Sequence, residues 1–115
     1  MSAISPDSIA GMVTRPEYVR SLARRCGADL LEKCYRRRLD PDRFARAAVV
    51  VKAEVDVAGD VAAEEGRLGW PHTDAEVARY RALYTDAFVA AYYDPEVRAT
   101  IHAGIRRMTW HVCYR

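Results

Sequence analysis

Few residues in this 115-residue chain are of types that could do chemistry, and their spacing keeps them apart. Cys26, Cys34 and Cys113, with His72, His102 and His111, are its thiol and imidazole groups. Cys26 and Cys34 are eight positions apart, or about 12 Å along a helix, too far to share one ion. No Cys-x-x-Cys, His-x-x-x-His or Glu-x-x-His occurs, so the local patterns of zinc and di-iron sites are missing. Cys26 and Cys34 read instead as small buried hydrophobes. His111 and Cys113 are two positions apart and would face different sides of a helix, which is no Cys–His pair. Gly66 and Gly69 lack the Lys-Ser/Thr that a phosphate loop needs, and there is no Gly-x-Ser-x-Gly. No catalytic residue, metal or cofactor is expected.

Charge offers a second chemistry. Residues 15–46 hold ten basic and five acidic side chains, whereas residues 54–65 hold Glu54, Asp56, Asp60, Glu64 and Glu65 and no base. Arg36, Arg37, Arg38, Arg43 and Arg46 crowd one predicted helix–helix junction and could contact phosphates. Asp40 and Asp42 dilute that cluster. Asn and Gln, the usual readers of adenine, are absent from the chain. The competing reading is a basic face that pairs with the acidic stretch. A weaker anion-binding row is Arg98, His102 and Arg106, at four-residue spacing.

Apolar and aromatic side chains offer a third. Tyr80, Tyr84, Phe88 and Tyr92 fall on one helical face, with Trp110 near the C-terminus. Such a wall is either core or a surface for a partner or planar ligand.

These groups sit on elements marked by helix starts: Ser5-Pro6, Thr14-x-x-Glu17, Asp40-Pro41, Thr73-x-x-Glu76 and Asp94-Pro95. Four one-sided stripes follow them. They are Val19, Leu22, Ala23, Cys26, Leu30 and Cys34; Phe44, Ala47, Ala48, Val51, Val55, Ala58 and Ala62; Val77, Tyr80, Tyr84, Ala87, Phe88, Ala91 and Tyr92; and Val97, Ile101, Gly104, Ile105, Met108 and Val112. The alternating run from Val51 to Val57 resembles a strand, but its flanks keep the 3.6 period and the chain offers it no partner strand. Val50, Val57 and Val61 form a second stripe on the same helix, free for a partner if the first faces the core.

The expected fold is all-α: about four main helices in two antiparallel hairpins joined through 67–72, with a short N-terminal helix. Residues 1–13 form an arm and 14–115 one domain. Half the residues are hydrophobic and 30% charged, a globular balance that excludes a disordered chain. Sixteen of the eighteen basic residues are Arg, which with the missing amides suggests a GC-rich bacterial genome. An odd cysteine count and an N-terminus without a leader pattern suggest a cytoplasmic protein with reduced thiols.

The leading functional expectation is a non-enzymatic helical interaction module, self-associating or bound to a protein partner, through Val50, Val57, Val61, Tyr80, Tyr84, Tyr92 and Trp110. The alternatives are a DNA- or RNA-binding regulator using the five arginines, and a small-molecule-binding protein or enzyme using the tyrosine face.

Overall fold

The computed structural model describes Ile9 and residues 15–113, with side chains through Ile105. Four α-helices form an all-α fold: α1 (Pro16–Arg36), α2 (Arg46–Leu68), α3 (Asp74–Tyr92) and α4 (Pro95–Cys113). A 3₁₀ turn, Pro41–Arg43, interrupts the connection between α1 and α2. Of the expected N-terminal helix, Ile9 is helical and buried. The rest of the arm and the Ser5-Pro6 start lie outside the described residues.

The helix ends follow local chemistry, with two differences from expectation. Thr73 and Glu76 form the full capping box of α3. The Asp94 carboxylate accepts the Glu96 N–H at 2.8 Å at the start of α4. Asp40, however, caps the 3₁₀ turn, accepting the Asp42 N–H at 2.9 Å, and α2 begins later, after Ala45. The N-cap of α1 is Arg15, and Glu17 pairs with Arg20 instead of closing a capping box; Thr14 lies outside the described residues. At the other end of α1, Arg38 takes the left-handed conformation (φ 56°), where Gly is usual. The Leu39 N–H reaches the Cys34 carbonyl at 2.8 Å and the Arg38 N–H the Tyr35 carbonyl at 3.1 Å, a Schellman closure.

The helix pairing differs from two sequential hairpins. α3 packs most extensively on α1 and next on α2, while α4 leans on α1. α1 and α2 hardly touch. Gly27 of α1 permits the close α1–α3 contact: a Cβ there would stand 2.5 Å from the Phe88 carbonyl oxygen. α3 is therefore the central helix, and Tyr80, Tyr84, Ala87, Phe88, Val89, Ala91 and Tyr92 are all buried. Burying each large side chain of this set contributes about 1.5–3 kcal/mol.

α2 faces the other way from expectation. Its buried residues are Val49, Ala53, Val57 and Glu64. Val50 and Val61 pack, half-buried, against the same core. Ala47, Ala48, Val51, Val55, Ala58 and Ala62, the stripe expected inside, are exposed. The reason lies in the carboxylates beside the inward face. The Tyr84 hydroxyl donates to Asp56 at 3.1 Å and the Tyr80 hydroxyl to Asp60 at 3.0 Å. Glu64 accepts the Ile9 N–H with both oxygens at 2.8 Å. Carboxylates at four-residue spacing look like a solvated side, but here each finds a donor and is tolerated at the core's edge.

Candidate functional site

Four places could bind something: the outward face of α2, the groove between α1 and α2, the α1–α2 junction and the start of α4.

The outward face of α2 carries Ala47, Ala48, Val51, Val55, Ala58, Gly59 and Ala62, all exposed. At 100° per residue these lie within about 60° of one direction. Glu65 shares the edge of that sector but turns to the following loop, where it accepts the His72 N–H at 2.7 Å. The face is therefore free of charge along its length. Large apolar side chains flank it: Phe44 just before the helix is 43% exposed and Trp70 just after it 48%. Val51 and Val55, at its middle, are 55% and 59% exposed. Of the five exposed large hydrophobics among the described residues, two lie on this face and two just beyond its ends in the sequence; the fifth is Tyr18.

The groove exists because α1 and α2 flank α3 without meeting. It encloses about 330 Å³, walled by Leu22, Cys26 and Leu30 of α1 and by Lys52, Asp56 and Asp60 of α2, with Tyr84 at its floor. Lys52 Nζ lies 2.6 Å from Asp56. The Asp60 carboxyl is raised above its ordinary value by burial, then by Asp56 and Glu64 beside it, against the Tyr80 hydrogen bond. Ile9 lines the neighbouring hollow together with Leu22, Asp60, Glu64 and Tyr80. Behind it the buried His72 ring sits between carboxylates, with Nε2 3.1 Å from Glu64 and Nδ1 3.8 Å from Glu76. Sequence reasoning missed this Ile9–Glu64–His72 cluster, which joins residues 55 positions apart. Among the described residues no three His, Cys, Asp or Glu side chains are placed to hold a metal ion.

The junction divides the basic cluster. Arg36 pairs with Glu32 at 2.7 Å. The Arg46 guanidinium lies 5.2 Å from the Tyr93 ring centre, a cation–π contact. Arg37, Arg38 and Arg43 are exposed. α1 and α2 do not pack as the paired helices of a helix-turn-helix. The acids of the stretch 54–65 take Lys52, two tyrosine hydroxyls, the Ile9 N–H and His72.

At the start of α4, two of the three Arg98 nitrogens are engaged within the molecule, while Nη2 is buried without a hydrogen-bond partner. Nη1 pairs with Asp42 at 2.8 Å, Nε donates to the Tyr92 carbonyl at 2.9 Å, and the guanidinium lies over the Tyr92 and Tyr93 rings. The His102 ring rests 5.1 Å from that of Tyr35. Arg106 and Trp110 lie outside the described side chains.

The remaining partner-facing candidates are inside the molecule. Val57, Tyr80, Tyr84 and Tyr92 are each 1% exposed or less. Tyr80 stacks on Tyr84, and Tyr84 on Phe88. The Tyr92 hydroxyl donates to the Pro41 carbonyl and pins the 3₁₀ turn to α3. The tyrosine wall is core, and among the described residues the outward face of α2 is exposed and apolar.

The fold and these surfaces define a small all-α protein. No helix among the described residues is long and apolar enough to cross a membrane. No protein-family profile, no curated protein and no solved structure matches the chain.

Proposed function

We propose that this protein is a non-enzymatic helical interaction module that docks on a protein partner through the outward face of α2. The observation behind the reading is that Val51 and Val55 stand more than half exposed on a charge-free helix face with Phe44 and Trp70 at its ends. Single exposed hydrophobics need no explanation, but a continuous strip of them marks an interaction site. An aromatic anchor at each end is the kind of group that dominates binding energy.

The test is site-specific photo-crosslinking in the protein's own cells. A photoreactive residue at Val55 should give a defined adduct with a protein. The same residue at Arg79, exposed on α3, should give much less. Equal yields at the two positions, or no adduct at Val55, would overturn the reading.

A further inference from the structure

Resting on that reading, we infer that the occupant of the α2 face is a second copy of this chain, packed antiparallel about a twofold axis between Val55 and Ala58.

The order of side chains along the strip carries the argument. From N- to C-terminus its helical part runs Ala47, Val51, Val55, Ala58, Ala62, Gly66, with Ala48 and Gly59 beside them. Reversed and laid against itself, Val55 meets Ala58, Val51 meets Ala62 and Ala47 meets Gly66. Each valine of the first half thus finds a small residue in the second half of the other copy. The Phe44 end of one copy then lies beside the Trp70 end of the other. In a parallel pair each residue would meet itself. Valines would then face valines at one level and alanines face alanines at the next, which crowds one layer and leaves the other empty. A twofold interface places the same patch on both partners, so it must be self-complementary in this way.

Area sets how much of the strip must take part. Phe44, Val51, Val55 and Trp70 are 43, 55, 59 and 48% exposed. A specific interface needs about 600 Å² from each copy, so it must take in these four side chains together with the alanine and glycine surface between them. Small residues along the centre let two helices approach at the short end of the usual 8–10 Å range. Phe44 and Trp70, each too exposed to be core, lie at each end of the contact, one from each copy.

Native mass spectrometry of the full chain should show a species at twice 13.0 kDa. Val55→Asp should remove it, weakening association at least tenfold while the helical circular dichroism stays unchanged. Disulfide trapping reads the direction, with the wild-type chain's own cysteines as background. Val51→Cys mixed with Ala62→Cys should cross-link. Val51→Cys alone should not, because its two copies would sit about 16 Å apart along the helices. Cross-linking of the single variant without the mixed pair would overturn the antiparallel arrangement. A monomer whose Val55 photo-adduct is another protein would overturn the second copy and leave the interaction module standing. A monomer with no adduct would sink both.

Discussion

At Gly27 a missing side chain sets how near two helices come. A Cβ at this position would meet the Phe88 carbonyl oxygen at 2.5 Å and the Ala91 Cβ at 3.3 Å. The first of these is backbone and cannot swing aside, so α1 and α3 would have to part. Gly27→Ala gains about 1 kcal/mol of helix propensity and loses more to overpacking, typically 1–3 kcal/mol and at the upper end against backbone. The expected outcome is a net loss of about 1–2 kcal/mol, seen as a drop of several degrees in the midpoint of thermal unfolding. Gly104→Ala, where nothing lies within 4 Å, should hold or raise the midpoint. Equal midpoints for the two variants would mean that the α1–α3 approach is looser than the structure shows. The carboxylates make a related point. Asp56, Asp60 and Glu64 are acceptors for groups on other elements, and nothing in their own spacing names those donors.

Helices differ in how far their sequences disclose their orientation. For α3 the periodic stripe and the buried set agree: Tyr80, Tyr84, Ala87, Phe88, Ala91 and Tyr92 are all inside. Its bulky residues share one sector, so a single orientation hides them. For α1 the buried line of Val19, Ala23, Gly27, Leu31 and Cys34 is turned from the expected stripe. Leu22, Cys26 and Leu30 are left half-buried along the groove. A glycine adds nothing to an apolar stripe, yet Gly27 marks the closest contact. For α2 the sequence offers two apolar sides of similar strength, and the choice between them rests on Tyr80, Tyr84 and Ile9. These supply hydrogen bonds from outside the helix. The all-α class, the helix count and the loop after α2 were thus legible, whereas the side of α2 that stays exposed was not. Val57→Asp and Val55→Asp separate the two orientations. The first places an unpaired charge at a site 1% exposed and should cost about 3 kcal/mol or more, enough to unfold a marginal domain. The second sits at a site 59% exposed and should change monomer stability by about 0.5 kcal/mol or less. Chemical denaturation of both variants at low protein concentration checks this. Similar midpoints would mean that α2 is rotated.

The described part of the chain is long and thin, with extents of 60 × 31 × 23 Å. Its radius of gyration of 16.8 Å exceeds the roughly 13 Å of a compact chain near this length. A core built around one central helix has no deep interior, so the tyrosines fill it with their rings and place their hydroxyls at its edge. Burial, then Asp60, pushes the Tyr80 phenol well above the usual tyrosine range. Burial, then Cys26 and Asp56, does the same for Tyr84. Burial, then Cys34, raises Tyr92, against the pull of Arg98. A group whose folded pKa is raised contributes stability that is complete below its unfolded value. For tyrosine that value is 10.0, and the contribution is lost as pH climbs beyond it. The unfolded chain then releases three protons that the folded chain holds, and the equilibrium tips toward unfolding. Titration of the seven tyrosines by absorbance near 295 nm should therefore be split. Phenols of an unfolded chain ionise around pH 10. Tyr80, Tyr84 and Tyr92 should ionise later and together, at the pH where the helical circular dichroism collapses. If all seven ionised near pH 10 with the helical signal intact, the three phenols would have to be reachable by water, and α3 could not be the centre of the fold.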